Sequence, residues 1–182
     1  MTFWELILIG VGLSMDAAAV CISNALAYPR LSRRAKCSMP VLFGLFQGLM
    51  PMLGYAAGGL CAYFIQQYAG YVTFFILAFI GGKMILDALR CGEDAPCAPR
   101  FTLRVVVMQA VATSIDAFAV GVGLCAVDVS LYLAVPVIAL TTFFCCCTAL
   151  LLGRRFGRLL GAKATIFGGL ILVLIGIKAL FV

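Results

Sequence analysis

Two aspartates stand inside apolar segments of this chain in the same short setting, Ser14-Met15-Asp16-Ala17 and Ser114-Ile115-Asp116-Ala117. An acid at the centre of a membrane helix costs about 2.5 to 3.5 kcal/mol on insertion scales, so keeping two costs on the order of 5 to 7. Something must offset that cost, and the chemistry open to the pair is narrow. The chain contains no histidine. That removes the commonest transition-metal ligand and the usual neutral-pH general base, and with them zinc enzymes and Ser/His or Cys/His hydrolases. Two facing carboxylates joined by hydroxyl, amide and carbonyl oxygens make a hard cage suited to Mn²⁺ or Mg²⁺ rather than Zn²⁺ or Cu⁺.

The residues at helical spacing from the acids fit such a cage. Gly12, Ala19 and Ser23 stack with Asp16, and Gln109, Ala112, Thr113 and Gly123 stack with Asp116. These small or oxygen-bearing side chains let helices approach closely and face one another instead of lipid. Ser14 and Ser114 fall on the far side of an ideal helix, where their hydroxyls can bond back to the carbonyls of Gly10 and Ala110 and loosen the turn. Asn24, Gln47 and Gln109 are further oxygen donors. The expected metal set is therefore Asp16, Asp116, Ser14, Ser114, Thr113, Gln47, Gln109 and Asn24, with no catalytic residue and no resident cofactor. The bland reading, in which each acid merely hydrogen-bonds a neighbouring helix, leaves unexplained why the motif occurs twice.

The elements that must position these groups follow from composition. Of 182 residues, 65% are apolar and 11% charged, less than half the charged share of about 25% that wets a soluble domain. The solvent for most of the chain is lipid. Apolar runs of about 20 residues predict six transmembrane helices, at 3–27, 39–65, 71–89, 105–127, 131–152 and 164–182. Eleven of the 13 basic residues lie in the first, third and fifth loops or at their edges. The positive-inside rule makes those loops cytoplasmic and puts both termini outside. The basic balance is thereby a matter of topology and implies no nucleic-acid partner. Residues 91–104, with Pro96 and Pro99, read as a cytoplasmic linker between a first three-helix half, 1–90, and a second, 105–182, of a single membrane domain. The N-terminus lacks a basic region and leads into an apolar stretch too long for a cleaved signal, so it is expected to remain as a helix. The nine cysteines include no CxxC pair and read as small apolar fillers.

Shifting the chain by 100 residues lays Leu13–Val20 over Thr113–Val120 with five identities in eight. Ile80-Gly81 and Lys83 likewise echo Ile175-Gly176 and Lys178. A repeated unit with an odd number of crossings enters the membrane from opposite sides, so the expected fold is all-α, six spans arranged as two inverted three-helix repeats, a transporter signature. Asp16 and Asp116 then reach the bilayer midplane from opposite directions, while Lys83 and Lys178 lie nearer the faces and snorkel outward. Lys83 and Asp87, four apart, read as a mutually neutralising pair. Glu5 and Asp128 sit at span edges; Phe43, Phe46, Phe143, Phe144, Met15, Met50 and Met52 read as packing or lipid-facing residues.

Four motifs in order, Ser14-Met-Asp-Ala17, Phe43-Gly-Leu-Phe-Gln47 with Pro51 and Gly54, Gly81-Gly-Lys-Met-Ile85 with Asp87, and Thr113-Ser-Ile-Asp-Ala-Phe-Ala-Val-Gly121, resemble the MntP-type manganese efflux pumps of bacteria over the whole length. The resemblance implies a multi-pass protein of the bacterial cell membrane that exports Mn²⁺, on a fold similar to that of the LysE-type exporters, with Asp16 and Asp116 as the paired acids. Gln47 stands where some members carry Glu, and Asp87 where many do.

Exporting a dication against an inside-negative potential costs about 4.6 kcal/mol per 100 mV, twice the single-charge figure. The chain has no Gly-x-x-x-x-Gly-Lys-Ser/Thr loop for ATP, which points to exchange for incoming protons. Other readings keep the fold and change the cargo to another small cation or an amino acid. The latter needs a cationic partner, and no basic residue is near Asp16 or Asp116 in sequence. An intramembrane aspartyl protease would also pair two acids, but its Gly-x-Gly-Asp motif is missing. The expected partners are Mn²⁺, protons and lipid, and the small-residue helices allow a homodimer without demanding one.

Overall fold

The computed structural model describes residues 3–28, 32–90, 102–125, 131–160 and 164–179, without the side chains of residues 3, 33, 34, 58–67, 69, 70, 87, 90, 125, 158–160, 164 and 179. The linker expected at 91–104 lies outside the described residues except for 102–104, and the Lys83–Asp87 pairing falls on an undescribed Asp87 side chain. Six helices account for the described chain: α1 (Phe3–Ala27), α2 (Arg33–Arg90), α3 (Leu103–Thr113), α4 (Ile115–Cys125), α5 (Leu131–Leu160) and α6 (Ala164–Ala179). Among the described residues, Trp4–Ala27, Ala35–Ala57, Leu103–Leu124 and Leu131–Gly157 are long and apolar enough to cross a membrane, and Tyr71–Leu86 and Thr165–Lys178 are shorter apolar helices. This is an all-α, multi-pass membrane protein.

The bounds of α1 coincide with the first apolar run, because its 25 residues are apolar almost throughout. Two expectations change in detail. The second and third spans share one helical element of 58 residues, which at 1.5 Å per residue is about 87 Å, nearly three times the hydrocarbon core. Its packing shows that it crosses twice. Gly10 lies against Ile138 and Thr141, and Gly153 against Ile22 and Ala25, so α5 runs in the same direction as α1. Gly44 faces Ala139 and Phe143 while Gly48 faces Val135, so the first part of α2 runs against α5. Gly168 abuts Ser23 and Lys178 reaches Asp16, so α6 runs against α1. Gly176 meets Phe74 and Leu77 while Gly169 meets Gly81 and Met84, which turns the last part of α2 against α6 and along α1. The chain therefore reverses between Gly54 and Thr73.

The second change concerns the fourth span, which is broken. Ser114 separates α3 from α4 with φ −103° and ψ 4°, and its N–H donates to the Val111 carbonyl instead of continuing the ladder. The two pieces together run against α1. Asn24 of α1 bonds Gln109 of α3, and at the other end Leu124 of α4 packs with Leu6.

Helices in lipid gain little from apolar burial and associate through close packing. That explains where the glycines fall. A Cβ on Gly54 would run into the Phe118 carbonyl, and one on Gly121 into the backbone of Pro51, so α2 and α4 touch backbone to backbone. Gly81 and Gly169 do the same for α2 and α6, since a Cβ on either would fall 2.6–2.7 Å from the other's carbonyl oxygen. The principal core joins Ala17, Val20 and Cys21 of α1 with Met39, Phe43, Leu77 and Met84 of α2, Val106 and Ala110 of α3, Cys146 of α5 and Leu172 of α6. Phe43 is thus a packing residue, whereas Phe144 and Met15 point outward.

Candidate functional site

Asp16 lies within Coulombic range of Asp116, and the Gln47 side chain faces the Asp116 carboxylate from α2. Asp116 stands in the first turn of α4, immediately past the break, and its Oδ1 accepts from the Ala117 N–H at 2.7 Å. A carboxylate at a helix start is favoured there by the unpaired N–H groups and the local dipole. Both acids are accessible, Asp16 at 32% and Asp116 exposed, while Ser14, Asn24, Gln47, Gln109, Thr113 and Ser114 around them are buried.

Gln47 is the most informative of the buried group. Its Nε2 donates to the Leu13 carbonyl at 3.1 Å, one turn before Asp16. Its Oε1 is buried and has no hydrogen-bond partner among the described residues. An orphaned amide oxygen in a dry interior is expensive, and here it belongs to a side chain that faces a carboxylate. Pro51 adds to this, because it has no N–H to offer the Gln47 carbonyl four residues before it. The Phe43–Gln47 motif with Pro51 thus brings a buried amide side chain beside Asp116.

The serine pair divides. Ser114 Oγ donates to the Ala110 carbonyl at 2.7 Å, as its spacing predicts, and the helix does break there. Ser14 Oγ bonds Val11 at 2.8 Å, not Gly10, and α1 continues through it. Carbonyls around the break are taken by hydroxyls: Thr113 Oγ1 donates to Gln109 at 2.9 Å, and Thr73 Oγ1 crosses from α2 to Ala112 at 3.1 Å. Thr73 carries no motif that sequence reading could have flagged. Asn24 and Gln109 face each other, so their amide groups are engaged in a mutual pair about two turns from the acids.

Lys178 is the other residue that sequence spacing misplaced. It does not simply snorkel away; its Nζ sits 3.0 Å from Asp16 Oδ1 as a salt bridge. The two are 162 residues apart in sequence, so proximity along the chain could not show it. The available signal was the echo of Lys83 and Lys178 in the third helix of each half. The bridge also answers the search for a cationic group near the acids: one exists, already committed to a carboxylate. Among the described residues no cation pairs with Asp116, and no group of three or more Asp, Glu or Cys side chains gathers anywhere as a metal cluster. What the described residues offer at this place is two carboxylates, one of them bridged to a lysine, with a neutral amide side chain beside the other.

Comparison with known proteins places this arrangement. The family model described as "Putative manganese efflux pump" (Mntp) matches residues 30–180. A protein of Ruminiclostridium cellulolyticum named "Putative manganese efflux pump MntP" is 45% identical over 179 residues, covering 98% of this chain and 95% of its own. Relatives with the same name from Bacteroides fragilis and Methanosarcina barkeri are each 38% identical, covering 99% of this chain and 96% of their own. No solved structure matches. A family model over most of the chain, with relatives that match along nearly its full length, means that the chain belongs to the MntP family of manganese efflux pumps.

Proposed function

We propose that this chain exports Mn²⁺ in exchange for protons, with Asp16 and Asp116 gripping the ion between the two halves and Gln47 Oε1 as a neutral third ligand. The observation that carries the reading is that the acids lie within Coulombic range of each other, with the Gln47 amide beside Asp116 and its buried oxygen unpartnered among the described residues. Mn²⁺ is a hard cation that takes oxygen ligands, and carboxylate with amide oxygen suits it. The hydroxyls of Ser14, Thr113 and Ser114 donate to carbonyls of their own turns and retain acceptor lone pairs. Asn24 and Gln109 join the set only by parting from each other, which assigns them to a second conformation.

The opposite running of α1 and α3–α4, of the first part of α2 and α5, and of the last part of α2 and α6 supports an inverted pairing of three-helix halves, and the basic loops favour both termini outside. A discontinuous helix at the site is what such transporters use to present polar groups at membrane depth. Outward movement of a dication costs about 4.6 kcal/mol per 100 mV, and inward return of protons with the empty carrier supplies the drive.

The test is cellular Mn content and Mn tolerance in a strain lacking the gene, complemented with the intact chain, Asp16→Asn or Asp116→Asn. Rescue by the intact chain alone is expected; equal rescue by all three removes the site. Mn²⁺ flux in vesicles that ignores a pH gradient removes the proton coupling and leaves the ion site standing.

A further inference from the structure

We propose that Lys178 is a tethered competitor for the substrate: its ammonium holds Asp16 while the site is empty, and a divalent cation binds only by displacing it. The inference rests on the ion site described above and adds to it a residue that touches the ion's place without being able to ligate it.

The geometry makes the competition direct. Lys178 Nζ is 3.0 Å from Asp16 Oδ1, a distance at which a metal ion on that oxygen and the ammonium exclude one another. Like charges that close repel strongly at membrane depth, where water screens them least. Displacement is also mechanically easy. The lysine side chain is 60% exposed and sits in the last turn of α6, so its four-carbon stem can swing without disturbing the core. The anchor is firm by contrast, since Gly176, two residues earlier, seats α6 on Phe74 and Leu77.

The asymmetry between the acids gives the device its purpose. Asp116 has the helix start and Gln47 beside it but no cation among the described residues, whereas Asp16 has the cation. An empty carrier that kept both acids bare would hold two like charges within range of each other in lipid. A lysine on one of them lowers that cost without occupying the other. The same lysine weakens capture of the dication, because part of the binding energy goes to breaking the bridge. Lys178 thereby sets affinity low enough for the ion to leave, which a pump needs more than tight binding.

The experiment uses the full-length chain purified in detergent, with Mn²⁺ binding read from loss of the free-ion electron paramagnetic resonance signal. Lys178→Met keeps the apolar stem and removes the charge; it is expected to bind Mn²⁺ about three- to tenfold more tightly than the unsubstituted chain, the scale of a partly exposed ion pair in a low-dielectric setting. Lys178→Arg keeps the charge and is expected to bind within about twofold of the unsubstituted chain. Equal or weaker binding by Lys178→Met overturns the proposal. Asp16→Asn and Asp116→Asn separate this from the site itself: if both still bind Mn²⁺ like the unsubstituted chain, the ion site is wrong and the competitor with it. If both lose binding and Lys178→Met binds no more tightly, the competitor alone is wrong. A second measurement needs no variant: acylation of Lys178 by an amine reagent, mapped by mass spectrometry, should quicken several-fold on adding Mn²⁺ while Lys36 is unchanged. An unchanged or slower rate at Lys178 overturns the proposal.

Discussion

Asn24 and Gln109 hold each other by both ends of their amides. Asn24 Nδ2 donates to Gln109 Oε1 at 2.7 Å, and Gln109 Nε2 returns a bond to Asn24 Oδ1 at 3.2 Å. The pair is buried and joins α1 to α3, tying together the two spans whose aspartates meet further along. Removing one amide leaves the other unsatisfied, a loss of about 0.5–2 kcal/mol given the modest worth of hydrogen bonds between membrane helices. Asn24→Leu and Gln109→Leu should each lower thermal stability in detergent, and the double substitution should cost less than the two summed. Strict additivity would mean that the amides are not coupled.

The crossing of α2 and α4 should tolerate no side chain. Gly54→Ala and Gly121→Ala place a methyl against the backbone at Phe118 and Pro51, and backbone cannot rotate aside as a side chain can. Each should cost about 1–3 kcal/mol or more and abolish Mn tolerance in complemented cells, because Gln47 and Asp116 are carried by these two helices. Gly123→Ala, where nothing lies within 4 Å, is the control and should behave as the unsubstituted chain.

Thr73 tests whether the helix break is held from outside. Thr73→Val keeps the shape and removes the hydroxyl that α2 lends to the Ala112 carbonyl. A loss of about 1 kcal/mol is expected, with efflux falling further than stability does, since the break positions Asp116. Thr148→Val, whose exposed hydroxyl bonds only its own helix, should change neither.

Gln47 separates charge from oxygen at the site. Gln47→Leu removes the free Oε1 and should weaken Mn²⁺ binding at least several-fold. Gln47→Glu keeps an oxygen and adds charge, so it should bind more tightly and release more slowly, seen as slower turnover at saturating Mn²⁺. Full efflux by Gln47→Leu would show that the amide oxygen is not used.

What could be read from the chain depended on the range of the interaction. The span of α1 and the two acids within apolar runs were legible, because hydropathy and a repeated Ser-x-Asp are local signals. The bond from Ser114 to Ala110 was legible for the same reason, being one helical turn long. Its consequence was not, since the same spacing at Ser14 leaves α1 intact with the hydroxyl on Val11, while at the break Thr73 also arrives from α2. Lys178 on Asp16 and Asn24 on Gln109 are pairings between distant segments, and with no second charge nearby in sequence nothing local announces them. The merging of two spans into one helical element has no local signal either, because the stretch between them carries no proline to mark where the chain turns back.

The capped break has a bearing on hydration. Gln109, Ala110, Val111 and Ala112 offer their carbonyls to hydroxyls of the protein itself, so those oxygens are not free to wrap a metal. A dication resting on two carboxylates and one amide falls short of the six oxygens it prefers, and water must complete the shell. At the proposed site an ion that keeps part of its water would be held by fewer protein bonds, and the hydroxyl cuffs on one helix end would thereby keep the grip loose enough for release.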